Sequence, residues 1–139
     1  MILADTSAWV EYDRGSGSPA DLRILELVET GGTLAVTEPV VMEVAAGARD
    51  DRREASLRRL LLRFDLLRLD PTVDFDAAVT IYRRCRRTGV TPRGLIDCLI
   101  AAVALRNRAV LLSHDLDLDR VARVVGLELD QASLRATDG

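Results

Sequence analysis

Short apolar runs that stop at a carboxylate constrain this chain more than any other feature. Met1-Ile2-Leu3-Ala4 ends on Asp5, and Val110-Leu111-Leu112-Ser113-His114 ends on Asp115, with Asp117 two residues on. Gly94-Leu95-Ile96 leads into Asp97, and Glu43 sits inside Pro39-Val40-Val41-Met42-Glu43-Val44-Ala45-Ala46. Apolar runs of this length, bounded by turn signals, read as short strands buried on both faces. A carboxylate beside buried apolar residues costs free energy unless something compensates it. Four such places suggest a shared purpose.

The segments between those runs have helical spacing. Asp5-Thr6-Ser7 offers cap chemistry for a helix through Tyr12. Further helices are expected over 20–29, 38–48, 50–64, 73–87, 95–107 and 118–125. Gly15-Ser16-Gly17-Ser18-Pro19 and the stretch 88–94 read as loops, and Pro39 suits the first turn of its helix. Strands are expected at 1–4, 33–36, 66–69, 109–112 and 127–129. Strands alternating with helices imply an α/β three-layer sandwich around a mostly parallel sheet of about five strands. In such sheets ligands gather outside the carboxyl ends of the strands. Asp5 and Asp115 fall there, and Asp97 falls in a helix's first turn, where the dipole favours an anion.

At 139 residues the expectation is one domain spanning 1–139, with a polar tail that frays from about Gln131. A 48% hydrophobic content can fill its core. No basic leader with an apolar run precedes Asp5, and no apolar stretch is long enough for a membrane span, so a cytoplasmic location without membrane contact is expected. Cys85 and Cys98 lie in helical apolar patterns and read as small buried hydrophobes. The net charge of −3 argues against broad attraction to nucleic acid. All 19 basic residues are arginine, so mechanisms that need a lysine are excluded.

Carboxylate-only clusters suit hard cations such as Mg²⁺ or Mn²⁺. Such ions polarise a phosphoryl oxygen and activate water at neutral pH. Taken singly, each acid has an ordinary reading: Asp5 as a helix cap, Glu43 as a solvated helix residue, Asp97 as a first-turn anion, and Asp115, Asp117 and Asp119 as a polar turn and cap. Asp119 keeps that reading, as a residue that caps or opens the last helix. Asp115-Leu116-Asp117-Leu118-Asp119 imitates the start of an EF-hand loop, but Arg120 stands where glycine is needed and Gly126 where glutamate is needed. A P-loop is absent. Receiver and haloacid-dehalogenase-like domains share the strand-then-aspartate arrangement, but they use a lysine that this chain lacks. His114, the sole histidine, has no G-x-S-x-G elbow to serve and reads as structural.

Four stretches in order carry a resemblance: Asp5-Thr6-Ser7-Ala8-Trp9-Val10-Glu11; Glu38 to Gly47 around Glu43; Asp97-Cys98-Leu99-Ile100-Ala101-Ala102; and Leu111-Leu112-Ser113-His114-Asp115-Leu116-Asp117. Together they resemble a PIN domain of the VapC toxin type. Ser113 stands where threonine is more usual, and Leu118 where phenylalanine often stands. The resemblance implies a Mg²⁺- or Mn²⁺-dependent endoribonuclease acting on structured RNA such as tRNA or rRNA. It also implies a homodimer silenced by a VapB-type antitoxin. It carries over Asp5, Glu43, Asp97 and Asp115 as the catalytic and metal-binding acids, Asp117 less securely, and Thr6 or Ser7 as supporting hydroxyls.

RNA must also be held. Arg93, just before the Asp97 helix, is the best-placed phosphate ligand. Arg83 and Arg87 follow, within a run that includes Arg84 and Arg86 and reads equally as a solvated face. With only 4% aromatic residues, base stacking cannot dominate recognition. Two rivals stay open: a non-catalytic module whose acidic groove binds a cation or basic peptide, and a DNA-directed nuclease on the same architecture.

Overall fold

The computed structural model describes residues 1–136. Four short strands form one parallel sheet in the order β3-β2-β1-β4. β1 (Ile2–Ala4) pairs with β2 (Leu34–Val36) on one side and β4 (Val110–Leu112) on the other, and β3 (Asp65–Leu66) extends the β2 edge. Leu3, Ala4, Ala35, Val36, Leu111 and Leu112 are almost wholly buried, as both faces of a parallel sheet require. The strand expected at 127–129 contributes a single parallel bridge, Leu129 to Leu111. The strand expected at 66–69 is shorter and begins earlier. Leu67 still donates to the Val36 carbonyl at 2.8 Å, but the next free N–H, on Leu69, turns to the Glu38 carboxylate at 2.9 Å.

Seven helices surround the sheet among the described residues: α1 (Thr6–Arg14), α2 (Pro19–Thr30), α3 (Glu38–Ala46), α4 (Asp51–Leu61), α5 (Asp74–Arg87), α6 (Leu95–Arg106) and α7 (Leu116–Val125). Local chemistry sets their limits. Asp5, Ser18, Asp50 and Asp115 cap α1, α2, α4 and α7 with their side-chain oxygens. Gly15, Gly31 and Gly126 end α1, α2 and α7 in the left-handed conformation that glycine adopts without strain. The cap of α7 is therefore Asp115, while Asp119 lies inside its first turn, fully buried.

α6 is the most deeply buried helix. Every residue from Asp97 to Ala104 is buried, and α6 packs against α3, α5 and α7. Its all-round apolar character marks a central helix rather than a surface one. Cys85 and Cys98 are buried free thiols, and burial pushes the Cys98 thiol up to about 11. No described helix is long and apolar enough to cross a membrane.

The C-terminal segment departs from the expected fray. Ser113 N–H donates to Ser133 Oγ at 3.1 Å, and Ser133 Oγ donates to the Leu111 carbonyl at 3.1 Å. Leu134 N–H reaches the Ser113 carbonyl at 2.9 Å, and Ala136 N–H reaches Asp119 Oδ2 at 2.6 Å. Residues 131–136 are thus tied to the end of β4 and to α7; the rest of the expected tail, 137–139, lies outside the described residues.

Candidate active site

The chain winds β1, β2, β3 to one side and then returns to place β4 on the other side of β1. The crevice at the carboxyl ends of β1 and β4 is the switch point where open α/β sheets hold ligands. Asp5 follows β1 directly, and Ser113, His114 and Asp115 follow β4.

Asp5 is 3% exposed and fully engaged. Its Oδ1 accepts from Ser7 Oγ at 2.7 Å and from the Ala8 N–H at 2.9 Å, and its Oδ2 accepts from Ser113 Oγ at 2.7 Å. Burial raises the Asp5 pKa, and these three donors only partly offset it. Ser7 also accepts from the His114 N–H at 2.8 Å, which fastens the α1 start to the β4 end. Thr6 Oγ1 donates to Glu43 Oε1 at 2.7 Å and so aims the α3 acid at the same crevice.

Asp97 stands in the first turn of α6 and is 8% exposed. Burial pushes its carboxyl up to about 6. Arg93 opposes the shift, while Asp115, Asp5 and Glu43 add to it. Asp97 thus feels the charge of each of the other three acids. Asp115 Oδ1 accepts from the Asp117 N–H at 2.9 Å, and its Oδ2 meets Arg93 Nη2 at 2.7 Å. The same Arg93 nitrogen lies 3.3 Å from Asp97 Oδ2.

Asp117 departs from this group: its carboxylate is 41% exposed and pairs with Arg120 at 3.0 Å. His114 turns its ring towards Glu11, with Nε2 at 3.4 Å. Arg93 is among the acids rather than outside them. Arg83 shares a hollow with Arg93 and Leu95, whereas Arg87 lines a neighbouring hollow with Tyr82 and Arg86. Ser113, which in the sequence stands out only as a departure from threonine, is buried and bonds Asp5. Arg14 and Arg49, which lie in no motif, line a cleft of about 500 Å³ that also reaches Glu43.

Every donor facing the crevice is an oxygen, which suits a hard divalent cation. Coordination is not preformed: among the described residues no three acids, histidines or cysteines are gathered as a ready metal seat. The position between Asp97 and Asp115 is taken by the Arg93 guanidinium. Donor chemistry and charge therefore fit such a cation, and rearrangement at Arg93 would have to accompany it.

The fold and this carboxylate crevice define a PIN domain, and the PIN domain family profile matches residues 2–124. The chain belongs to that family. Within it, the chain is 45% identical to ribonuclease VapC11 of Mycobacterium tuberculosis over 129 residues, covering 92% of this chain and 96% of that one. It is 31% identical to ribonuclease VapC51 of the same organism, covering 89% and 87%. Among solved structures, VapBC2 from Rickettsia felis, bound to a DNA fragment from its promoter, aligns with a TM-score of 0.73 at 19% identity, covering 99% of this chain and 100% of that one. VapC20 of M. tuberculosis, described as a sarcin-ricin loop cleaving toxin, aligns at 0.62 and 14%, covering 85% and 92%. The chain is thus a PIN domain of the VapC kind.

Proposed function

We propose that this chain is a Mg²⁺- or Mn²⁺-dependent endoribonuclease toxin. It hydrolyses phosphodiester bonds in structured cellular RNA, tRNA or rRNA, and so inhibits translation. The observation that carries this reading is the set of contacts that tie the acids to the β1–β4 crevice: Asp5 to Ser113, Glu43 to Thr6, and Asp97 and Asp115 to Arg93. The ribonuclease name of the relative at 45% identity supports it, as does the sarcin-ricin loop named for VapC20. In this reading the whole chain acts as one nuclease domain.

Asp5 and Asp97 would hold the cation directly, with Glu43 and Asp115 acting directly or through water; Asp117 lies further out. When bound, such a cation polarises a phosphoryl oxygen and relieves the repulsion among the carboxylates. The chain's own groups then do the rest. Ser7, Ser113 and the Ala8 N–H fix both oxygens of Asp5, and Thr6 fixes Glu43. A carboxylate of this set takes a proton from the attacking water. Water adds to phosphorus in line, the bond to the 3′ oxygen breaks, and that oxygen is protonated, leaving 3′-hydroxyl and 5′-phosphate ends. Arg83, Arg87 and Arg93 hold flanking phosphates.

The partners follow from surfaces and from neighbours. Solved VapBC complexes among the structural neighbours support a VapB-type antitoxin. A hollow between α3 and α4, where exposed Met42, Leu62 and Leu66 lie among Glu38, Glu54 and Arg58, offers that partner a face of mixed apolar and charged character. Phe75 and Val79, one turn apart on α5, and Leu95 beside them are about half exposed and support pairing with a second copy.

Incubating total cellular RNA with the free protein and Mg²⁺ or Mn²⁺ tests the reading. Discrete fragments with 5′-phosphate ends are expected from wild type, and none with EDTA or from folded Asp97→Ala. Products ending in 2′,3′-cyclic phosphate would overturn the mechanism, since the RNA's own hydroxyl would then be the nucleophile.

A further inference from the structure

Arg93 is in an unusual position for a residue that serves a substrate. One of its nitrogens, Nη2, bridges two carboxylates from different elements, Asp115 at 2.7 Å and Asp97 at 3.3 Å. Both carboxylate side chains are only 11% exposed, while the Arg93 side chain is 63% exposed. The guanidinium therefore plugs the acid pair from the rim, with most of its side chain in solvent. It is carried by the 88–94 loop between α5 and α6, which contains Gly89 at φ +85°. A residue so placed can leave the pair without unwinding either helix. Asp115 cannot turn to another donor easily, because its second oxygen is held by the Asp117 N–H.

Two cations cannot share one gap between two carboxylates without strong repulsion. We propose that Arg93 is the resident countercation of the metal-free site, and that a divalent cation enters between Asp97 and Asp115 only by displacing it. The displaced guanidinium then stands at the crevice rim, beside Arg83, where a substrate phosphate can take it in bidentate geometry. RNA and metal consequently favour each other's binding, since each draws on a state in which Arg93 has left the acids. This inference rests on the metal-dependent reading above.

Calorimetric titration of Mn²⁺ into the intact, antitoxin-free protein, without RNA, tests it. Arg93→Gln is expected to bind Mn²⁺ roughly threefold to fivefold more tightly than wild type, the upper part of the range that loss of a partly exposed ion pair implies. Arg93→Ala serves as a second variant, with circular dichroism to check folding. Arg83→Gln removes a neighbouring charge that touches neither acid, and its Mn²⁺ affinity is expected to stay within twofold of wild type. The arginine side-chain N–H resonance that Arg93→Gln lacks is expected to shift when Mg²⁺ saturates the wild type. Equal Mn²⁺ affinity in wild type and Arg93→Gln would overturn the inference and leave the metal reading standing. Equal tightening by Arg83→Gln, or an unmoved resonance, would overturn it too, by reducing Arg93 to a distant charge. No Mn²⁺ binding by any of the proteins would remove the inference and the metal reading together.

Discussion

Asp5 and Asp97 show two ways of keeping a carboxylate in a protein interior. Asp5 is held by two hydroxyls and a backbone N–H; Oδ1 has two of these donors and Oδ2 only Ser113, so the loss of Ser113 leaves a buried oxygen without its partner. Ser113→Ala should cost about 2 kcal/mol in urea unfolding and reduce RNA cleavage with it. Asp97 has fewer donors, and burial pushes its carboxyl up to about 6. A carboxyl raised in the folded state contributes stability that is fully present below its unfolded value near 4 and is lost as pH rises through about 6. In the presence of chelator, Asp97→Asn should therefore stabilise the protein by roughly 1–3 kcal/mol at pH 8 and scarcely at all at pH 4. Unfolding curves at the two pH values measure this, and Mn²⁺ should reverse the order by stabilising wild type alone. The identities of these acids were legible in the sequence, because a carboxylate at the end of an apolar run is a local signal. Their partners were not: Thr6 and Glu43 are 37 residues apart, and Asp5 and Ser113 are 108 apart.

Among the elements, α5 and α6 are fastened by an ion pair away from the crevice. Arg106, at the end of α6, donates from Nε and Nη2 to Asp74 at 2.9 and 2.8 Å, and from Nη2 to the Arg68 carbonyl at 2.6 Å. Asp74 is 1% exposed and also accepts from the Asp70 N–H at 2.7 Å. The Arg106 hydrogen bonds hold the Asp74 carboxyl below its usual range. Removing the cation leaves that buried charge uncompensated, so Arg106→Ala should lose about 3 kcal/mol at pH 7. The loss should shrink as pH falls below the ordinary aspartate range, because a depressed carboxyl stabilises the fold only while it is ionised. Thermal unfolding at pH 7 and pH 3 would show it. The start of α1 and the end of α2 were readable from Asp5 and Gly31, because a cap is single-residue chemistry, whereas α7 begins at Leu116 under Asp115 rather than at 118, and α4 ends at Leu61 rather than 64. β3 was harder: it pairs with β2, while the chain just beyond it, at Leu69, turns to a side chain of α3, and nothing within the segment announces either.

At the scale of the whole molecule, the C-terminal segment closes the side of the sheet next to β4. Asp130 binds Arg23 of α2, Ser133 bridges Leu111 and Ser113, and Ala136 N–H donates to Oδ2 of buried Asp119. Deleting residues 131–139 should strip Asp119 and Ser113 of these partners and lower the melting temperature by about 5 °C or more. Scanning calorimetry of the truncated chain checks this. A polar composition read as a loose end, because composition records what a segment could do in water. It does not record that the segment's hydroxyls and N–H groups meet unpaired groups on β4 and α7.

The sequence by itself determined the succession of short buried strands and helices, the caps that bound them, and the acids stationed at strand ends. Those depend on periodicity and on groups a few residues apart, which every local segment carries with it. Only the tertiary structure decided that β4 lies beside β1, that Thr6 and Ser113 serve Glu43 and Asp5, that Asp117 turns outward to Arg120, and that Arg93 sits between Asp97 and Asp115. The β1–β4 pairing and the Thr6–Glu43, Asp5–Ser113 and Arg93–Asp115 contacts join residues far apart in the chain, set by which strand ends the sheet brings together, while Asp117–Arg120 and Arg93–Asp97 are helix-spaced pairs whose choice among several nearby partners is made by the surroundings.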